Sequence, residues 1–358
     1  MKSVYVDNNA TTQVAPEVKE AMLPFFEELY GNPSSTHLFG EKVGKYVRAA
    51  REQVASFLGV EPEEIVFTSC GTESNNAAIR GTIASYPEKR HIVTTKVEHP
   101  AVLSLCRYLG GNGYEVTELP VDYLGRLDLD GLRNSLRDDT AIVSIMYANN
   151  ETGVIFPIEK IGEIVKDRGI VFHCDAVQAT GKVPINLSSL PVDFLSVSGH
   201  KFHAPKGIGI LYIRKGTRFS PLLIGGYQEN GRRGGTENVP YIVGMAKACE
   251  LAEYYLKEKQ IHRIQKMRDH LEEELTRLIP NSRVNGDAKN RLPNTSNISF
   301  EGVEGESILL FLNKEGVGAS SGSACSSGSL EPSHVLRAMS VPFTLIHGSV
   351  RFSLSRYN

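Results

Sequence analysis

Phe194-Leu195-Ser196-Val197-Ser198-Gly199-His200-Lys201 is the stretch on which the reading of this chain turns. The apolar run 193–195 reads as a buried strand that stops at Ser-Gly, and Pro205-Lys206-Gly207 closes the segment on the other side. A strand that ends this way sets Lys201 beside His200 at the mouth of a pocket, where a primary amine can form a Schiff base. Ser-Gly-His-Lys is also an ordinary solvated turn, so the neighbouring strands must decide between the two.

Upstream, short β-branched runs at 65–68, 91–95, 114–117, 141–147, 170–173 and 193–197 alternate with helical spacing at about 100–110, 128–137 and 157–168. Such alternation predicts a mostly parallel sheet covered by helices on both faces, with ligands beyond the carboxyl ends of its strands. The residues at those ends are Gly71-Thr72, Glu98-His99, Asn149-Asn150-Glu151, Asp175 with Gln178, and Ser198-His200-Lys201. Each is a polar group that is costly to bury without a partner. Together they offer a lysine for a Schiff base, a carboxylate for a pyridinium nitrogen, an imidazole to stack on a ring and a helix start for a phosphate. Pyridoxal phosphate needs that set, and the turn reading recedes. At the helix start, Ser69-Cys70-Gly71-Thr72-Glu73-Ser74 fits phosphate binding and plain capping by Thr72 or Ser74 equally, with the helix beginning near Asn75.

Bulk properties agree with a soluble globular chain large enough for one big domain and a smaller one. It has 358 residues and a formal net charge of -2, which gives no general attraction to nucleic acid or anionic membrane. No apolar run approaches a membrane span, and the polar start at Met1-Lys2-Ser3 is unlike a signal peptide, so the expected compartment is the cytoplasm. The five cysteines lack C-x-x-C spacing, which argues against a disulfide framework or a zinc cluster.

Elsewhere the spacing predicts helices at 16–30 and from a cap in Ser34-Ser35-Thr36 to Gly59. The glycine-rich run 224–238, with Arg232, Arg233 and Thr236, is either an anion-binding loop or a solvated tip. Helices at 239–258 and 261–278 are expected to lead away from the sheet to a second domain with a strand at 296–300 and a helix at 304–313. The Gly/Ser run 319–329 reads as a flexible tether with Cys325 at its centre, and the tail 348–356 as a half-buried strand whose Arg351 is salt-bridged or clamps a carboxylate.

Asp7-Asn8-Asn9-Ala10-Thr11-Thr12, Gly31-Asn32-Pro33-Ser34-Ser35, Thr68 to Asn75, Glu98-His99-Pro100, Ala148 to Gly153, Asp175-Ala176-Val177-Gln178, Ser198-Gly199-His200-Lys201, Gly234 to Asn238 and Ser321 to Cys325 then fall into place. Through these motifs, met in order along nearly the whole chain, it resembles the cysteine desulfurases, class V enzymes of the fold-type I pyridoxal phosphate group. Its long cysteine loop and the runs 202–207 and 231–238 look most like the nitrogen-fixation type. The resemblance implies an α/β fold: a mostly parallel, mixed sheet flanked by helices in a large cofactor domain at 15–255. A smaller α+β domain at 1–14 and 256–358 would carry the cysteine loop, about 319–330.

It also implies roles. Lys201 would hold the cofactor as a Schiff base and move protons on the substrate carbon; Asp175 would pair with the pyridinium nitrogen; His99 would stack on the ring and act as acid and base. Gln178 would meet the phenolic oxygen. Gly71, Thr72, Ser198 and His200 would bind the phosphate, with Thr236 reaching it from the second subunit of a homodimer. Asn150 and Arg351 would orient the substrate L-cysteine and bind its carboxylate. Cys325 would be the nucleophile that takes the sulfur as a persulfide, leaves L-alanine, hands sulfur to an iron–sulfur scaffold or other acceptor, and serves as a transient iron–sulfur ligand. Selenocysteine lyase or another class V activity, which would not need the Cys325 thiol, is the alternative, as is a sulfur-relay scaffold that has lost turnover. The chain ends at Arg356-Tyr357-Asn358, short of a further helical segment that the family carries.

Overall fold

The computed structural model describes residues 3–321 and 332–358. Its strands are β1 (Val4–Tyr5), β2 (Ile65–Thr68), β3 (His91–Thr95), β4 (Glu115–Leu119), β5 (Thr140–Met146), β6 (Val171–Asp175), β7 (Phe194–Ser198), β8 (Gly209–Ile213), β9 (Ser282–Val284), β10 (Thr295–Phe300), β11 (Val317–Gly318) and β12 (Ser349–Ser353). Seven of them form the central sheet in the order β2-β8-β7-β6-β5-β3-β4. Strands β3 to β7 run parallel, while β8 is antiparallel to both β7 and β2, so the sheet is mixed as expected.

Burial on both faces explains why these strands read as largely apolar runs and not as a strict alternation of apolar and polar residues. Leu195 and Val197 of β7 face one core, shared with helices Leu38–Leu58, Ile158–Lys166 and Val239–Lys257. Phe194 faces the other, shared with helices Gly71–Ser85 and Pro100–Gly110. With both faces covered, a strand has no solvent side to mark, and each large apolar side chain buried this way stabilises the fold by about 1.5–3 kcal/mol. The chain direction across the sheet reverses between β3 and β5, and polar residues at such a switch point have room for a ligand.

A second, antiparallel sheet, β12-β10-β9, and the parallel pair β1-β11 enclose a smaller core of Val6, Tyr255, Ile264, Ile298, Val350 and Phe352. Three expectations change here. Helix Val239–Lys257 does not lead away from the sheet: it packs on Leu38–Leu58 and Pro16–Met22, and only the next helix, Ile261–Leu278, lies on β9 and β10. The helix expected over 16–30 is broken into Pro16–Met22 and Pro24–Glu27, since Pro24 brings no N–H to continue the ladder. Strand β12 is buried along its whole length rather than half-buried.

Candidate active site

Lys201 sits in the turn between β7 and β8, in a cavity of about 240 Å³ at the carboxyl ends of the parallel strands. Its Nζ donates to the main-chain oxygens of Asn9 at 2.7 Å and Ala10 at 2.8 Å. The turn is tight because Gly199 lies where a Cβ would come within 2.9 Å of both Ala204 and Ile208. A strand that ends at a glycine among packed side chains therefore delivers the amine to a fixed place.

Asp175 closes β6 and faces the same cavity. Its Oδ2 accepts from Asn75 Nδ2 at 2.6 Å and its Oδ1 from the Val177 N–H at 3.0 Å, so the carboxylate is held from two sides. His99 caps helix Pro100–Gly110, its Nδ1 accepting from the Ala101 N–H at 3.1 Å. The neutral ring then carries its proton on Nε2. Burial lowers the His99 pKa, opposed by the Asp175 charge and assisted by Lys201, His334 and Arg351. His200 is pushed down to about 4 by burial and by the cations around it, and its Nδ1 lies 3.1 Å from Thr11 Oγ1.

Helix Gly71–Ser85 points its start into the cavity, where Gly71, Thr72 and Ser198 line the wall. A Cβ at Gly71 would meet Val177 Cγ2 at 2.7 Å. The helix begins four residues earlier than expected, and neither Thr72 nor Ser74 caps it. Cys70 does, its Sγ accepting from the Glu73 N–H at 3.4 Å, while Ser74 turns inward to Thr68. Thiols rank low among capping groups, which hid this one. Likewise His37, not Ser34, Ser35 or Thr36, caps Leu38–Leu58.

Of the expected site residues, Lys201, His99, Gly71, Thr72, Asn150, Asp175, Gln178, Ser198 and His200 line one cavity. Two do not. Thr236 is exposed on the glycine-rich loop. Arg351 is buried beside the cavity with its guanidinium engaged by Asp7 Oδ1 at 2.8 Å and the Asn150 main-chain oxygen at 3.0 Å; of its two readings, salt-bridged or carboxylate clamp, this arrangement is the first. Cys325 and the expected tether lie outside the described residues for all but 319–321. The glycine-rich loop is part pinned and part solvated: Glu229 is buried in a bidentate pair with Arg51 and accepts from the Phe67 N–H, and Arg233 pairs with Glu73 at 2.9 Å, while Ile224, Tyr227 and Thr236 are exposed.

Several residues that hold the site were missed. Asn75 orients Asp175. Asn9 receives Lys201 and Gln178 on its main-chain oxygen and donates through Nδ2 to Thr295 and the Asn150 main-chain oxygen. Ser333 donates to Glu151 Oε2 at 2.5 Å, and His334 Nε2 lies 2.9 Å from the Glu98 main-chain oxygen. On the other side, Ser320 exchanges backbone hydrogen bonds with Arg351. Both flanks of residues 322–331 are thus fastened beside the cavity. Buried polar residues next to the motifs were the available signal for all of these.

The donor set fits pyridoxal phosphate. An amine, a carboxylate held with its oxygens fixed, an imidazole and an open helix start face one space. The buried oxygens Asn75 Oδ1 and Asn150 Oδ1, on residues of its wall, have no partner among the described residues. Fold and site together define a fold-type I enzyme dependent on this cofactor. Residues 4–358 match the class-V aminotransferase family, and the chain belongs to it. It is 62% identical over 357 residues to a cysteine desulfurase of Trichormus azollae, covering 100% of this chain and 89% of that one. Against the cysteine desulfurase NifS of Azotobacter vinelandii it is 57% identical over 358 residues, again 100% and 89%. The solved structure of a NifS-like protein superposes with a TM-score of 0.94 at 43% identity, over 100% of this chain and 95% of that one.

Proposed function

We propose that this chain is a pyridoxal phosphate-dependent cysteine desulfurase, a sulfurtransferase that moves the sulfur of L-cysteine onto Cys325 and releases L-alanine. The observation that bears most weight is the single cavity shared by Lys201, Asp175 and His99, in a chain 62% identical to a cysteine desulfurase. When bound, pyridoxal phosphate supplies the electron sink that makes the substrate carbon–sulfur bond breakable. Lys201 would anchor it, Asp175 would hold the ring nitrogen, Gln178 the ring oxygen, and Gly71, Thr72, Ser198 and His200 the phosphate. His99, neutral with its proton on Nε2, is placed to give and take protons at the substrate. The Cys325 thiolate attacks the substrate sulfur: an S–S bond forms, the C–S bond breaks with its electron pair left on carbon, and protonation there gives L-alanine.

The anchoring of both flanks of 322–331 next to His99 and Arg351 supports a short delivery path for Cys325. From there the sulfur passes to an acceptor protein for iron–sulfur cluster assembly, with nitrogenase maturation the use that the resemblance to NifS favours. We assign the work to a large domain at 15–255 and a small one at 1–14 and 256–358, in a cytoplasmic homodimer whose Thr236 completes the partner's phosphate site. Exposed Thr236, Ile224 and Tyr227 on a loop pinned by Arg51 and Arg233 favour that pairing, and the free thiols of Cys70, Cys106, Cys174 and Cys249 suit a reducing compartment. Among the described residues, no helix is long and apolar enough to cross a membrane.

The test is absorbance of the Schiff base together with alanine and sulfide release from L-cysteine. Lys201→Ala is expected to abolish the Schiff base band. Cys325→Ala is expected to keep the band and lose desulfuration; full sulfide release by that variant would refute the persulfide route.

A further inference from the structure

A second, smaller cavity of about 40 Å³, room for a water molecule or so, shares Lys201 with the cofactor cavity. Lys182 lines it together with Lys201 and Asn294. Lys182 is only 8% exposed, and among the described residues no carboxylate pairs with it. Its Nζ donates instead to two neutral side-chain amides, Gln178 Oε1 at 2.7 Å and Asn9 Oδ1 at 2.9 Å. The turn that brings it there depends on Gly181, whose φ is +75° and whose added Cβ would strike Phe202 Cβ at 2.8 Å. A buried lysine without a counterion is costly, and burial together with the nearby Lys201 and Arg351 drives its pKa well down.

An amide can face a neighbour with either end, but an ammonium at Lys182 offers only donors to it, so the end of Gln178 that meets it is the oxygen. A neutral amine keeps a lone pair, yet here both of its contacts run as donations, to Gln178 Oε1 and Asn9 Oδ1, and the NH2 end of Gln178 turns the other way. Nε2 does so, donating to the Asn9 main-chain oxygen at 3.0 Å, the same oxygen that receives Lys201. Asn9 is fixed by the same logic: Oδ1 takes Lys182 and Asn294 Nδ2, leaving Nδ2 for Thr295 Oγ1 and the Asn150 main-chain oxygen.

We propose that Lys182 is a positioning residue that dictates the amide orientation of Gln178, so that the cofactor cavity is always presented with a donor N–H beside Lys201 rather than an acceptor oxygen. The inference rests on the pyridoxal phosphate reading of the site. A donor aimed at the ring oxygen stabilises that oxygen as an anion and weakens its hold on the Schiff base proton, so the orientation sets the pH at which the Schiff base titrates. Other charges act in the same place: Lys201, Asp175, His334 and Arg351 on His99, and Lys201, Lys206, Lys182 and His99 on His200. The Gln178 amide meets Lys182 through Oε1 and the Asn9 main-chain oxygen through Nε2, so a change made through Gln178 can be separated from the effect of these charges.

The experiment is a double-mutant cycle on the full-length holoenzyme, read by the pH midpoint of its Schiff base absorbance and by the cofactor dissociation constant of the apoprotein. Lys182→Met is expected to raise the midpoint by about half a unit or more and to weaken cofactor binding, and to have no further effect on the midpoint in a Gln178→Ala background. If loss of the amine prevents folding, Lys182→Gln replaces it. An amide at that position can meet Gln178 with either end, so the orientation is no longer dictated and the midpoint rises by a smaller amount. An unmoved midpoint in the folded single variant, or an equal rise with and without the Gln178 amide, would overturn the proposal. A wild-type protein with no Schiff base band would instead strike at the cofactor reading beneath it.

Discussion

Arg351 gives its Nη2 to Asp7 Oδ1 at 2.8 Å, so the guanidinium expected to receive the substrate carboxylate already holds a carboxylate of its own chain. Arg351 is 3% exposed, and its Nε has no partner among the described residues. A planar fork of five donors with two engaged can take a second anion without letting go of the first. Arg351 therefore links the N-terminal segment, strand β12 and Asn150, and binding of the substrate carboxylate is a second role we propose for it.

Arg351→Ala is accordingly expected to do two separable things. It strands Asp7 in a largely buried site, costing on the order of 3 kcal/mol of stability, and it removes the substrate anchor. The KM for L-cysteine should rise at least roughly tenfold, the loss of one charge-assisted hydrogen bond. Denaturant unfolding of the apoprotein checks the first effect and steady-state kinetics the second; an unchanged KM would leave Arg351 a structural residue only.

How much of this was open to reading in the chain depends on which physical term fixed each feature. The parallel strands were legible because both faces are buried, which makes runs such as Ile142-Val143-Ser144-Ile145 almost unbroken. The cavity residues were legible because strand ends in such a sheet converge. Strand β8 passed unread: it opens at Gly209, where a Cβ would meet Thr68 Oγ1 at 2.6 Å, and it runs against its neighbours. Lys182, Asn9 and Asn75 were illegible for a different reason. Asn9 and Asn75 matter through contacts between residues 100 or more apart, such as Asn75 with Asp175, which no local pattern encodes, while Lys182 meets Gln178 four residues away but is buried by Asn9 from the far end of the chain. The loop anchors Glu229 and Arg51 belong to the same class.

Two buried groups set opposite slopes on the pH dependence of stability. Burial holds His173 down at about 3, between Ser144 and Ser196. An unfolded chain takes up that proton below about 6.5, so stability falls as pH drops from there. Burial pushes Glu98 up to about 8, against the pull of hydrogen bonds from the Met146 N–H and Thr95. The folded protein keeps this proton while the unfolded chain loses it near its ordinary 4.5, so stability falls as pH rises through the interval up to about 8. Glu98→Gln should abolish the second slope, a change of up to about 1.4 kcal/mol per pH unit between roughly pH 5 and 8. Unfolding curves of the apoprotein across that range are the measurement, and wild-type and variant curves that stay parallel would contradict the assignment.

The glycine-rich loop joins pinned residues to exposed ones in a way that calls for a partner. Glu229, with a left-handed φ of 50°, is tied to Arg51 and the Phe67 N–H, and Arg233 to Glu73, yet Ile224 is 91% and Tyr227 82% exposed. Holding apolar side chains in water on a rigid loop is unfavourable unless a surface covers them, and pre-paying the ordering of the loop strengthens whatever contact it makes. If that surface is a second copy, Ile224→Asp combined with Tyr227→Asp should move the protein toward monomer in sedimentation and weaken cofactor binding. Thr236→Ala should weaken cofactor binding roughly tenfold, one hydrogen bond to a charged group, while leaving the sedimentation of the dimer unaltered. A monomeric wild type, or a Thr236→Ala protein that binds pyridoxal phosphate as tightly as its parent, would exclude a phosphate site shared between subunits.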